Sequence, residues 1–93
     1  MNALGLVEVP SVTAAIDCLD IMCKTASVEF VTWERKLGGR LVTVIVTGSV
    51  DAVTSAVEAT AQAVKKPVAR AVIARPHEET QRLVELSASR LKK

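Results

Sequence analysis

At 93 residues the chain has room for one domain and no second core, and folding buries only about 60–65% of its unfolded surface. Hydrophobic residues make up 49% of it, yet Phe30 and Trp33 are its only large aromatic side chains. The core must therefore be built from Val, Ala, Leu and Ile, and there is no stacking platform for single-stranded nucleic acid. A net charge of +2, spread thinly until Arg90, Lys92 and Lys93, gives no basic patch to bind a duplex, and so much aliphatic surface on so small a domain favours self-association.

In chain order, residues 3–9, ALGLVEV, read as a buried strand, and Gly5 within it marks a close approach by another element. The start of the chain lacks the basic residues and long apolar stretch of a signal peptide. Pro10 ends the strand and Ser11 is an N-cap candidate. Val12, Ala15, Ile16, Leu19, Met22, Cys23 and Ala26 then recur at helical spacing and define the expected buried stripe of a first helix. Cys18 and Cys23 lie about 140° apart around that helix, so they cannot share a ligand, and both read as reduced core or boundary residues of a cytosolic chain.

Val28 to Lys36 reads as a second strand and Arg40 to Thr47 as a third, joined by a hairpin through Leu37-Gly38-Gly39. The third strand carries the longest apolar run, far too short to span a bilayer, so neither membrane nor nucleic acid is an expected partner. Gly48-Ser49 opens a second helix, with Val53, Ala56, Val57, Ala61 and Val64 as its expected inner stripe and Lys65-Lys66-Pro67 as its stop. Val68 to Ala74 is a fourth strand. The remainder, from His77, reads as an amphipathic helix with Leu83, Leu86 or Val84, and Leu91 inward. The order β-α-β-β-α-β plus a tail helix predicts an α+β, ferredoxin-like fold with its first two helices on one face of the sheet. The other face is left for the tail helix or for neighbouring subunits.

The segments ALGLVEV, CLDIMCKTASVEFV (18–31), KLGGRLVTVIVTGSVDAV (36–53) and VIARPH (72–77) together resemble the bacterial microcompartment (BMC) shell-protein family, in its order and at its spacing. The resemblance implies a BMC shell domain over residues 1–77 and a C-terminal helix or tail over 78–93. It also implies a non-enzymatic structural protein, a homohexamer that tiles with other shell proteins around encapsulated enzymes. Small polar metabolites would pass its central pore, and its location would be a microcompartment shell in the cytoplasm.

By the same resemblance, Lys24 matches the lysine at the hexamer edge, and Arg75, Pro76 and His77 match an Arg-Pro-His motif that packs adjoining tiles. Leu37, Gly38, Gly39 and Arg40 match the pore loop, with Gly39 at the small-residue position nearest the axis. Arg40 departs from the glycine commoner in the family. Six copies would make the pore positive and favour anions; alternatively Arg40 pairs with Glu34 on the adjacent strand.

No catalytic constellation accompanies these residues. His77 is the only histidine, without a Ser, Cys or carboxylate positioned by the sequence to form a triad. The acids give no paired-carboxylate motif, GGR lacks the Lys-Ser/Thr of a phosphate loop, and no metal or cofactor is expected. The competing class is a small-ligand-binding regulatory module of the same topology, with Gly38-Gly39 at a subunit interface.

Overall fold

A computed structural model describes residues 2–35 and 41–91. In chain order these form β1 (Ala3–Val9), α1 (Val12–Thr25), β2 (Glu29–Arg35), β3 (Val42–Gly48), α2 (Val50–Ala59), β4 (Ala69–Ala74) and α3 (Glu78–Leu91). The strands lie in the order β2-β3-β1-β4 with every neighbouring pair antiparallel. β1 and β2 therefore run parallel with β3 between them, the split βαβ arrangement of a ferredoxin-like sheet. The expected βαββαβ order with a C-terminal helix is the one observed.

Strand alternation sorts the core into two layers. Ala3, Val7 and Val9 of β1 and Val42, Val44 and Val46 of β3 pack with Ala14, Cys18 and Met22 of α1 and Val53, Ala56 and Val57 of α2. On the opposite face Leu4 and Ile45 meet Val84 of α3, with Leu6 and Val31 at their margin. A bulge in β2 sets Phe30 opposite Val46 and Thr32 opposite Ile45, with Val31 unpaired between them. Thr32 consequently shares the α3 face, where its hydroxyl lies 2.9 Å from that of Ser87. The Ser87 hydroxyl also bonds the Glu34 carboxylate.

Each helix starts on a side-chain cap that satisfies an otherwise unpaired amide. Ser11 Oγ accepts from the Ala14 amide and Ser49 Oγ from the Ala52 amide, both at 3.1 Å. At α3 the imidazole Nδ1 of His77 accepts from the Glu79 amide at 3.0 Å.

Several packing expectations change. In α1 the buried face is Ala14, Ala15, Cys18 and Met22, whereas Ile16 is 56% exposed and Cys23 is also exposed. The stripe is rotated because Ala14 and Cys18 are small enough to sit against the valines of the sheet. α2 stops at Ala59 and tightens into a 3-10 turn over Thr60–Gln62, where the buried Thr60 hydroxyl donates to the Val57 carbonyl at 2.6 Å. Ala63 thereby takes the inner position and Val64 is 94% exposed. In α3 it is Val84 that faces inward, while Leu83, Leu86 and Leu91 are exposed.

Candidate functional site

Strand register fixes which ends of the molecule the candidate residues occupy. Ala3 pairs with both Gly48 and Ala74, and Glu29 pairs with Thr47. The beginnings of β1 and β2 and the ends of β3 and β4 thus form one end of the sheet. α1 returns along β1 to this same end: the Ser27 carbonyl, just past the helix, lies 3.0 Å from where a Gly48 Cβ would stand. Lys24 and Arg75 are brought to one end of the molecule by this topology.

The other end is defined by Val9, Arg35 and Val42, which are paired across the sheet. Arg35 and Val42 flank the connection that contains Leu37, Gly38, Gly39 and Arg40, and those four residues lie outside the described residues. A seven-residue strand at about 3.3 Å per residue separates the two ends by roughly 20 Å.

Lys24 lies in the last turn of α1, where a cation suits the helix dipole. Its Nζ is 2.8 Å from Asp20, one turn back, and both side chains are largely exposed. The hydrogen bond to Asp20, and then the Asp20 charge, raise the Lys24 ammonium above its ordinary 10.5, so it stays protonated. An exposed pair of this kind adds little to stability. What it does is hold the lysine beside an acid at the surface.

The Arg75-Pro76-His77 corner turns the chain from β4 into α3. Arg75 has φ of 47°, the left-handed region that a side chain disfavours by about 1–2 kcal/mol. Its amide donates to the Asn2 carbonyl at 2.8 Å, which ties the corner to the start of the chain. Pro76 is buried, and its carbonyl accepts from the Gln81 side chain. The Arg75 side chain is exposed and makes no ion pair among the described residues. Its five donors are therefore free for another molecule. His77 has a local role as the cap of α3, consistent with the helix-start position read from the sequence.

Alongside this corner runs a continuous exposed surface. All six residues of β4 are exposed, Val68 before it is 60% exposed, and β4 is an edge strand with one side unpaired. An aliphatic edge of this length is a pairing hazard unless another chain covers it. The ferredoxin-like order expected from the sequence already puts β4 at an edge, and the structure adds that all of its residues are left exposed. No group of three potential metal ligands occurs among the described residues. No helix among them is long and apolar enough to cross a membrane.

Comparison with known proteins adds an independent line. Residues 3–76 match the family model described as the BMC domain. The chain is 45% identical over 86 residues to the bacterial microcompartment shell protein PduA of Citrobacter freundii, covering 89% of this chain and 91% of that protein. It is 41% identical over 91 residues to the carboxysome shell protein CsoS1C of Hydrogenovibrio crunogenus, covering 94% and 88% respectively. Among solved structures, a microcompartment protein from Desulfitobacterium hafniense superimposes with a TM-score of 0.77 at 26% identity. That match covers 94% of this chain and 48% of the other, so the present chain spans about half its length.

Proposed function

The chain belongs to the BMC-domain family of bacterial microcompartment shell proteins, and from that premise we propose that it assembles as a cyclic homohexameric tile with a central pore. In this reading residues 1–77 are the tile and residues 78–93 an appended helix. The turn containing Leu37, Gly38, Gly39 and Arg40 surrounds the axis. Lys24, Arg75, Pro76 and His77 form the rim that meets other tiles, and the shell they build encloses enzymes without this chain itself catalysing a reaction.

The observation that supports this reading is the separation of the two ends of the sheet. The Lys24 and Arg75 end and the end that carries the 36–40 connection are opposite each other along β1. A tile needs that division, with a gate at one end and a contact edge at the other. The exposed aliphatic edge at β4 adds a surface for a neighbouring subunit of the ring. At the rim, the Asp20 carboxylate beside Lys24 offsets the repulsion that two lysines of adjoining tiles would otherwise feel.

Electron microscopy of the purified protein tests the assembly. Sixfold discs that extend into sheets are expected, and dimers or trimers would reject the hexamer. With Lys24→Ala the discs should persist while the sheets are lost; sheets of normal extent would remove Lys24 from the rim. At the gate, six copies of Arg40 near the axis would make the pore attractive to anions and polar metabolites. Anion permeation through shells carrying Arg40→Ala should fall relative to neutral solutes, and an unchanged preference would turn Arg40 away from the axis.

A further inference from the structure

α3 does not lie flush on the sheet. Between them is a cleft of about 330 Å³, lined by Leu4, Leu6, Ile45 and Ile73 from the sheet and by Leu83 and Leu86 from the helix. The polar groups on its wall are few: Glu34, Ser87 and Arg90, with Thr80 two helical turns before Ser87. An aliphatic hollow with a small number of placed polar groups is the usual make-up of a small-molecule site, and this volume is at the lower end of the range. It admits a short carbon chain and is too small for a helix or strand of a partner.

The polar groups restrict the head of such a molecule. Ser87 is committed, since its hydroxyl is shared between Thr32 and the Glu34 carboxylate. Arg90 makes no ion pair among the described residues. Besides the Thr80 hydroxyl, the wall therefore carries one carboxylate with accepting capacity left and one guanidinium with free donors. A carboxylate head would gain Arg90 but meet repulsion from Glu34, and an ammonium head the reverse, so the wall as a whole favours neither charged head. A hydroxyl avoids both, because it can donate to Glu34 and accept from Arg90.

We propose that the cleft between α3 and the sheet binds a small neutral aliphatic molecule bearing a hydroxyl head, with its carbon chain against Leu4, Leu6 and Ile45 and its head between Glu34 and Arg90. None of the residues lining this cleft is among those assigned to the pore turn or the rim, and the proposal stands whether or not the ring is sixfold.

Saturation-transfer NMR on the assembled 93-residue chain, with hexanol, hexanoate and hexylamine as probes, tests the proposal. Hexanol is expected to bind in the millimolar range and at least several-fold more tightly than either charged analogue. Leu86→Trp, which fills the cleft from an exposed position on α3, should abolish hexanol binding without changing the Tm. Glu34→Gln keeps an oxygen for Ser87 and should shift preference toward hexanoate, whereas Arg90→Gln should shift it toward hexylamine. No binding of hexanol, binding unaffected by Leu86→Trp, or a head-group order indifferent to both charge variants would each overturn the assignment. Binding seen only after dissociation into single chains would do the same, because the cleft would then be filled by a second copy.

Discussion

The two faces of the sheet are covered to different standards. Toward α1 and α2, alternate residues of β1 and β3 meet small helix residues, and Val7, Val46, Cys18, Met22 and Val53 are fully enclosed. Toward α3 the buried cluster among the described residues is Leu4, Ile45 and Val84, supplemented by the bonds among Thr32, Ser87 and Glu34. Leu83 and Leu86 stay exposed beside a cleft. Close packing of the first kind holds a fold together, because each buried methylene adds about 0.8 kcal/mol and any void is felt at once. The second kind leaves apolar surface available for a ligand or a neighbouring chain. Close packing and accessible apolar surface are thus divided between the two sides of one sheet.

The comparison is sharpest at Met22 against Leu83. Met22 is fully buried under the sheet, and Met22→Ala should lower stability by about 2–5 kcal/mol in urea denaturation. Leu83 is 68% exposed, and Leu83→Ala should change stability by no more than about 0.5 kcal/mol. Equal losses would mean that α3 is as firmly packed as α1 and would erase the division.

A smaller effect is expected at Gly5, where the fully covered face has no room to spare. A Cβ there would stand 2.8 Å from Val53, 2.9 Å from Val57 and 3.1 Å from Val46. All three neighbours are β-branched and stiff at χ1, so they cannot swing aside. Gly5→Ala should therefore cost about 1–3 kcal/mol through overpacking, read from the same denaturation curves. A neutral result would show that α2 can lift from the sheet.

Gly5 was legible in the sequence as a point of close approach, as were all four strands, both serine caps and the order that fixes the sheet. These features are local: a glycine in an apolar run, a proline followed by serine, an alternation of period two. What the sequence did not carry depends on partners far along the chain. The rotation of α1 that buries Cys18 and exposes Ile16 is set by valines of β1 and β3. The contact of Thr32 with Ser87 joins residues 55 apart and depends on the β2 bulge. The early end of α2 has a local cause in the Thr60 hydroxyl, but the Lys65-Lys66-Pro67 stop signal drew the expected boundary too far along. At the candidate site, the motif residues came from family resemblance, while their gathering at one end of the sheet came only from strand register.

The gentlest probe of the two-sided division uses the cysteines, which differ in burial on one helix. Cys18 is enclosed in the core, and burial first and the Asp17 charge second push its thiol above the ordinary 9.0. Cys23 is exposed. In native single chains a thiol reagent should modify Cys23 rapidly and Cys18 only as fast as the core opens. Two fast thiols would mean that the α1 face is loosely packed after all. The raised value also gives a sign for alkaline stability. Below 9.0 the thiol is protonated in both folded and unfolded chains and titration contributes nothing to the balance. As pH rises past 9.0 the unfolded chain loses the proton while the folded core retains it, so the unfolded state gains and stability falls. The Lys24 ammonium, raised from 10.5, adds its own decline only at higher pH, so of these two groups Cys18 alone acts between 9.0 and 10.5. Cys18→Ala should lower stability at neutral pH by leaving a small void, yet flatten its decline across that interval. A decline of unchanged slope in Cys18→Ala would place the alkaline sensitivity elsewhere, and the α1 face would lose its claim to being the drier of the two.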